Sequence, residues 1–201
     1  MTDSPLTRAS LLLRLRDHTD SDAWNSFLND YGPMLYRFVR SRGLQDADAS
    51  DVVQDVMRSV GLAINRLEYS KERGGFRAWL FAITRNKLAT HFDKQKRHGR
   101  STGHPAPLEL SDREVEPTVS MDQQWELEHQ RQLVELAIAN VKPKIEASTW
   151  MAFELTAIQA LAADEASKLT GMSVGAVYVA RSRVTAKLRV EIERLQAEDL
   201  L

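Results

Sequence analysis

Apolar residues recur every three or four positions along most of this chain, the spacing that places them on one face of an α-helix. The clearest stripe consists of Val52, Val53, Val56, Val60, Ile64 and Leu67. Similar stripes predict helices through 24–39, 76–83, 125–141, 150–158 and 174–196. The four tryptophans lie in or beside these stripes, so we expect them in the core: Trp24, Trp79, Trp125 and Trp150. Because no two alternating runs are joined by a hairpin turn, the pattern predicts an all-α fold.

A stretch rich in glycine and proline separates two helical halves of the chain. Residues 98–120 lack apolar periodicity and contain Gly99, Gly103, Pro105, Pro107 and Pro117. This composition is typical of a flexible linker. We therefore predict an N-terminal helical domain over 1–97, a linker over 98–120 and a C-terminal helical domain over 121–201.

The C-terminal half carries a recognisable local pattern over 164–189. Asp164 is expected to cap a short helix that ends at Gly171, and Ser173 to cap the helix that follows. The second helix is basic, with Arg181 and Arg183 in its middle. Two helices joined by a short glycine-containing turn, the second of them basic, indicate a helix-turn-helix. A purely structural helical hairpin is the alternative.

Composition excludes several classes of protein. The 201 residues are 43% hydrophobic and 27% charged, which is ordinary for a globular chain. There is no cysteine, hence no disulfide, thiol catalysis or cysteine-based zinc site. No signal peptide and no membrane-spanning stretch is visible, and the absence of cysteine fits a cytoplasmic protein. The histidines show no metal-ligand spacing and no nucleophile constellation appears, so we expect no metal, no cofactor and no catalytic residues.

The net charge of −1 conceals a strong segregation of charge along the chain. Residues 71–100 contain nine Lys or Arg against two acids, and 173–189 contain four bases and no acid. By contrast, 46–57 contain four acids and no base, and 109–128 contain seven acids against one Arg. Such alternating blocks favour several partners of different charge. For 109–128 alone, a solvating role is the simpler explanation.

Three motifs occur in order along the chain. They are DASDVVQDV at 48–56, GFRAWLFAITRN at 75–86 and GMSVGAV at 171–177, the last followed by Arg183 and by Lys187-Leu188-Arg189. These motifs resemble regions 2.2, 2.4 and 4.2 of the extracytoplasmic-function (ECF) group of sigma-70-type initiation factors of bacterial RNA polymerase. The resemblance covers about 20–97 and 130–192. It departs from the family at 178–180, where Tyr-Val-Ala stands in place of a frequent Lys-Ser-Arg.

The resemblance implies a protein without an active site that gives RNA polymerase its promoter specificity. Region 2.2 of the family docks on a coiled coil of the largest polymerase subunit. The corresponding polar residues here lie on the helix face beside the valine stripe, where they suit a basic partner helix: Asp51, Gln54, Asp55 and Arg58. A solvated acidic face is the alternative explanation.

The resemblance also places the −10 promoter element on the loop 68–75 and on the helix after it. Tyr69 offers an aromatic surface for an unstacked base, Asn86 suits a base edge, and the cations suit phosphates. A local hydrogen bond is the alternative for Asn86. Spacing predicts that Thr84 shares a helix face with the later contacts. The expected −10 contacts are Tyr69, Lys71, Arg73, Arg77, Asn86, Lys87, His91 and Lys94.

The second helix of the helix-turn-helix would lie in the major groove of the −35 element. The expected −35 contacts are Ser173, Val174, Tyr178, Arg181, Ser182, Arg183 and Lys187. The implied partners are core RNA polymerase and promoter DNA. An anti-sigma factor is a candidate third partner because members of the group often have one.

Two other functions compete with this interpretation. A stand-alone helix-turn-helix regulator would bind duplex DNA without polymerase, but it leaves the acidic face over 46–57 unexplained. An all-α hydrolase with a carboxylate-bound metal would need a ligand cluster, and the sequence indicates none.

Overall fold

The structure is a computed structural model that describes residues 8–66, 75–101 and 120–199. Within these ranges the regular structure is helical throughout and contains no strand, so the predicted all-α fold is confirmed. Short 3₁₀-helices lie at Ile64–Arg66 and Lys142–Lys144, and α6 continues into a π-helical turn at Glu154–Ile158. The α-helices are α1 (Arg8–Arg14), α2 (Ser21–Arg40), α3 (Asp46–Ala63), α4 (Gly75–Ser101), α5 (Met121–Val141), α6 (Ala147–Phe153), α7 (Ala163–Thr170) and α8 (Val174–Asp199).

The chain divides into two compact bodies, whose main segments are Leu6–Gln132 and Leu133–Glu198. The division falls inside α5, so the first half of this helix belongs to the N-terminal body. The predicted linker lies mostly outside the described residues, because α4 extends to Ser101 and the description resumes at Ser120. The domain bounds at 97 and 121 therefore stay predictions.

The N-terminal body is built around α2, α3 and α4. Asp20 caps α2, since its carboxylate accepts a hydrogen bond from the Ala23 amide at 3.0 Å. The valine stripe of α3 faces inward as predicted, with Val52, Val56 and Val60 buried. Aromatic and aliphatic residues of the neighbouring helices complete this core, among them Phe27, Met34, Leu35, Phe38, Phe76, Leu80 and Leu88.

The C-terminal body joins the second half of α5 to α6, α7 and α8. Its core comprises two apolar clusters: Leu133, Ala137, Val141, Trp150, Phe153, Val184, Leu188 and Leu195 in one, and Ala152, Leu155, Ala166, Val177 and Ala180 in the other. The second cluster packs α7 against the first turns of α8. This packing fixes the face that α8 leaves exposed.

The predicted burial of the tryptophans is confirmed for two of the four, and the other two are only partly buried. Trp125 and Trp150 are buried, whereas Trp24 and Trp79 are partly buried against the N-terminal core. Trp125 lies in the N-terminal body, although its position in the sequence placed it in the C-terminal domain.

Candidate nucleic-acid and partner interfaces

The four polar residues predicted on the outer face of α3 are exposed together. Arg58 Nη1 donates to Asp55 Oδ1 at 2.7 Å, and its Nη2 donates to Gln54 Oε1 at 3.4 Å. Asp51 lies one turn before Asp55 on the same face. Exposed ion pairs of this kind contribute about 0–1 kcal/mol to stability. The face can therefore exchange its internal contacts for a partner at little cost in folding free energy.

A cleft of about 580 Å³ lies between this face of α3 and the basic face of α4. Asp48, Asp51, Val52, Gln54 and Asp55 line one wall, and Lys87, Thr90, His91, Lys94 and Gln95 line the other. Three of the predicted −10 contacts thus share one cleft with three of the predicted polymerase contacts. Nothing in the spacing of either motif indicated that the two sets would meet.

The remaining predicted −10 contacts are more dispersed. Asn86 is exposed but lies outside the cleft, about 100° around the helix from Lys87. Arg77 lies at the start of α4 and forms an ion pair with Glu126. Tyr69, Lys71 and Arg73 lie outside the described residues.

Thr84 does not share the exposed face of α4, and the prediction for this residue is wrong. Its side chain is fully buried, and its hydroxyl donates to the Leu80 carbonyl at 2.8 Å. The i−4 carbonyl satisfies the hydroxyl locally, which lets a polar residue occupy a core position. Helical spacing therefore included one buried residue, Thr84, in a face whose other predicted members begin at Lys87.

The first half of α5 brings acidic residues onto the N-terminal body. Glu128 Oε2 accepts a hydrogen bond from Arg37 Nε at 2.8 Å, and Glu126 pairs with Arg77. Although burial raises the pKa of Glu126, the hydrogen bond and the charge of Arg77 lower it below the ordinary value. The solvating role expected for 109–128 is thus wrong for Glu126 and Glu128. The opposite charge of 71–100 was the one signal that pointed to such a contact.

Two helices joined by a short glycine-containing turn, α7 and α8, lie where the sequence predicts the helix-turn-helix. Gly171 adopts a left-handed conformation with φ +69°, as the turn requires. Ser173 caps α8, since its hydroxyl accepts from the Ala176 amide at 3.2 Å. The cap predicted at Asp164 is wrong: α7 begins one residue earlier, with Ala162 at its N-cap and no side-chain hydrogen bond there.

All seven predicted −35 contacts are exposed, but they lie on two sides of α8. At 100° per residue, Arg183 and Lys187 lie about 140° and 180° around the helix from Tyr178. On the Tyr178 side, two adjoining grooves include Val174, Arg181, Ser182, Thr185 and Arg189 in their walls. Between the two sides lie uncharged positions: Gly175, Val179 and Ala186. The helix thus presents an uncharged centre with cations along both edges.

Two classes of site have no counterpart in the part of the chain that the structure describes. No group of three or more His, Asp or Glu side chains is arranged to hold a metal ion there. None of the described helices is both long enough and apolar enough to cross a bilayer.

Comparison with known proteins matches one family to the N-terminal body. Residues 27–98 match the model of sigma-70 region 2. This range contains α3 and nearly all of α4, and therefore both walls of the cleft.

Relatives of similar length align with almost the whole chain. The ECF RNA polymerase sigma factor ShbA of Streptomyces griseus is 28% identical, and the alignment covers 96% of this chain and 100% of ShbA. The RNA polymerase sigma factor CnrH of Cupriavidus metallidurans is 29% identical over 83% of this chain and 84% of its own. The RNA polymerase sigma factor NccH of Alcaligenes xylosoxydans is 26% identical over 98% of this chain and 100% of NccH.

A solved structure of CnrH in complex with the cytosolic domain of CnrY aligns with 92% of this chain, and the alignment covers 96% of the solved chain. Its sequence identity is 22% and its TM-score 0.37. A score this low supports no conclusion about the present chain.

Proposed function

This chain is an RNA polymerase sigma factor of the sigma-70 family, in its ECF group, and we propose that its two helical bodies contact different promoter elements. The N-terminal body binds core polymerase and the −10 element, and the C-terminal body binds the −35 element. Such a protein acts through binding and has no catalytic residues of its own. Its place of action is the cytoplasm, where the polymerase is.

The observation that carries the −35 proposal is the arrangement of side chains on α8. A recognition helix in the major groove is flanked by the phosphates of both strands, while its central face meets base edges. The cations on the two edges of α8 suit those phosphates, and Tyr178 and Val179 suit the methyl groups of thymine. Tyr178 is 59% exposed and Val179 55% exposed, so both are available to DNA.

The proposal for core polymerase rests on the exposed face of α3. Asp51, Gln54 and Asp55 offer acceptors to a basic partner helix, and Arg58 can release Asp55 for such a contact. An anti-sigma factor that covers this face would exclude polymerase from it. We include that partner in the proposal because members of the ECF group often have one.

The proposal for the −10 element assigns phosphate contacts to Lys87, His91 and Lys94 in the cleft. It assigns Asn86 to a base edge and Arg77 to a phosphate. Tyr69, Lys71 and Arg73 complete the proposed set on sequence grounds.

In vitro transcription with core polymerase on a promoter library tests the proposal. We expect start sites that depend on this chain and share one −10 and one −35 sequence. The double variant Asp51→Arg/Gln54→Ala should lose affinity for core with thermal unfolding almost unchanged, because both residues lie off the buried stripe. Arg16→Gln, which changes an exposed charge of the N-terminal body outside α3, is the control.

A stand-alone regulator predicts the opposite results. The isolated chain would then bind one duplex sequence tightly, and the α3 variant would behave like the parent. We expect weak binding by the isolated chain, because its basic surfaces are divided between two bodies and few phosphates are neutralised at once. Core polymerase raises the affinity by holding both bodies on one DNA.

A further inference from the structure

The first half of α5 occupies a built docking surface on the N-terminal body. The Trp125 ring lies edge-on to Phe38 with 5.0 Å between ring centroids, and it packs against Phe81 at the same distance. Only 4% of Trp125 remains exposed. A large aromatic side chain held between two others supplies most of the apolar contact that a docked helix needs.

Three polar contacts also join this half of α5 to the N-terminal body. Glu128 accepts from Arg37, Glu126 pairs with Arg77, and Gln132 Nε2 donates to the Asp30 carbonyl at 2.7 Å. Glu128 is deeply buried and also accepts from Gln124 and Arg131. An acidic helix segment therefore neutralises two arginines of the N-terminal body.

The same contact contains features that make it releasable. The Trp125 indole N–H and the Gln132 side-chain carbonyl are buried without a hydrogen-bond partner in the protein. Each such group would regain hydrogen bonds to water if the segment left its surface. This gain offsets part of the free energy that the apolar contact contributes to docking. The Arg77–Glu126 pair is also half-exposed, so solvent reaches it.

We propose that residues 121–132 form a masking segment that withholds Arg77 from DNA in the free protein. A guanidinium binds a carboxylate and a phosphate through the same two-pronged geometry, so Glu126 and a DNA phosphate compete for one side chain. The exposed carboxylate of Glu126 at this site also repels the DNA backbone. Occupancy by the segment and occupancy by DNA therefore exclude each other.

This inference rests on the proposed −10 function of the N-terminal body. Because two ligands that exclude each other are thermodynamically linked, weakening one contact must strengthen the other. Glu126→Gln/Glu128→Gln should thus raise the affinity of the isolated full-length chain for −10 DNA. The expected gain is at least about fivefold, the lower end of ordinary coupling between sites.

The probe is a fluorescent single-stranded oligonucleotide of the −10 sequence, and the readout is its Kd by anisotropy. Asp122→Asn is the matched control for Glu126→Gln, because each removes one negative charge from the same helix and Asp122 is exposed. Arg77→Gln should weaken binding clearly in the double variant and much less in the parent, where Arg77 is masked. If buried Glu128 proves necessary for folding, Glu126→Gln alone serves as the second variant.

Hydrogen exchange of the parent chain supplies the reciprocal measurement. Binding of −10 DNA should speed the exchange of amides in 121–132, because the segment leaves its surface. Unchanged affinity in both glutamine variants, or a gain from Glu126→Gln no larger than that from Asp122→Asn, overturns the masking proposal while transcription with core polymerase still supports the proposed function. Failure of the parent chain to support transcription overturns the proposed function instead.

Discussion

The two-sided arrangement of cations on α8 makes a quantitative prediction about salt dependence. The perturbation is the double substitution Arg183→Gln/Lys187→Gln, which removes both cations from one edge of the helix. Both side chains are exposed, and the buried positions of α8 lie elsewhere, at Val177, Ala180, Val184, Leu188 and Leu195. Folding stability should therefore change by no more than about 0.5 kcal/mol.

The expected size follows from counterion release. Each neutralised phosphate of B-DNA contributes about 0.9 to the slope of log K against log salt. Loss of two phosphate contacts should flatten the slope by about 1.8. When salt is raised from 50 to 200 mM, the DNA affinity of the double variant should therefore fall by a factor about ten times smaller than the affinity of the parent does.

The assay is binding of the holoenzyme to a duplex that carries a −35 sequence selected with core polymerase. Kd is measured at several salt concentrations, together with the ratio of affinities for the selected and a scrambled −35 sequence. Arg183→Gln/Lys187→Gln should change the slope and leave the ratio unchanged. Tyr178→Ala removes no charge, so it should reduce the ratio and leave the slope unchanged.

The opposite outcome for the two variants would refute the reasoning. If the double variant lost sequence discrimination at constant slope, Arg183 would contact a base. The helix would then be rotated in the groove, with its Lys187 side rather than its uncharged centre toward the bases.

Three further predictions concern folding. Gly171→Ala should destabilise the C-terminal body by about 1–2 kcal/mol, and Ala160→Gly should stabilise it by about 0.5–1 kcal/mol. The reason is that both residues have left-handed backbone angles, with φ +69° at Gly171 and φ +57° at Ala160. Thermal unfolding checks both variants, and shifts of the same sign would contradict the argument. Hydrogen bonds from Arg194 lower the pKa of Glu191 below its ordinary value, against burial, which raises it. The stability that Glu191 contributes is present above its unfolded-state pKa and is lost as the pH falls through the lower folded-state pKa. Chemical denaturation at a series of pH values should therefore show that the difference in free energy of unfolding between the parent and Glu191→Gln becomes smaller below about pH 4.5. A difference that becomes larger in acid would exclude this pairing. Thr84→Val should change the free energy of unfolding by less than about 1.5 kcal/mol and leave DNA affinity unaltered, since the hydroxyl donates only to Leu80; a loss of DNA affinity at unchanged stability would restore Thr84 to the −10 face.

Local features of the fold could be predicted from the sequence because they depend on neighbouring residues. The valine stripe of α3, the turn at Gly171 and the cap at Ser173 each follow from spacings of four residues or fewer. Two of the wrong predictions were also local in kind. Asp164 was assigned from residue type and Thr84 from helical spacing, and in each case the local hydrogen bonds differ from those expected.

The tertiary contacts of the candidate interfaces could not be predicted in this way. Glu128 and Arg37 are 91 residues apart, and Glu126 and Arg77 are 49 apart. Helical periodicity says which face of a helix is apolar but not which helix that face meets. The meeting of the acidic and basic walls in the cleft is a contact of the same kind.

The cleft between α3 and α4 changes how substitutions on either wall have to be interpreted. Asp51 and Lys87 line the same cleft, and charges are screened over about 8 Å at physiological salt, so Asp51 contributes to the field at Lys87 as well as at a partner helix. Asp51→Arg adds a cation beside a proposed phosphate site and can raise DNA affinity while it lowers affinity for core polymerase. Asp51→Asn keeps the shape and adds less charge, so the ratio of the two effects separates direct contact from field. The proposed binding face for a basic helix and the proposed binding face for DNA thus share one electrostatic surface, so a charge change on either wall should alter both affinities.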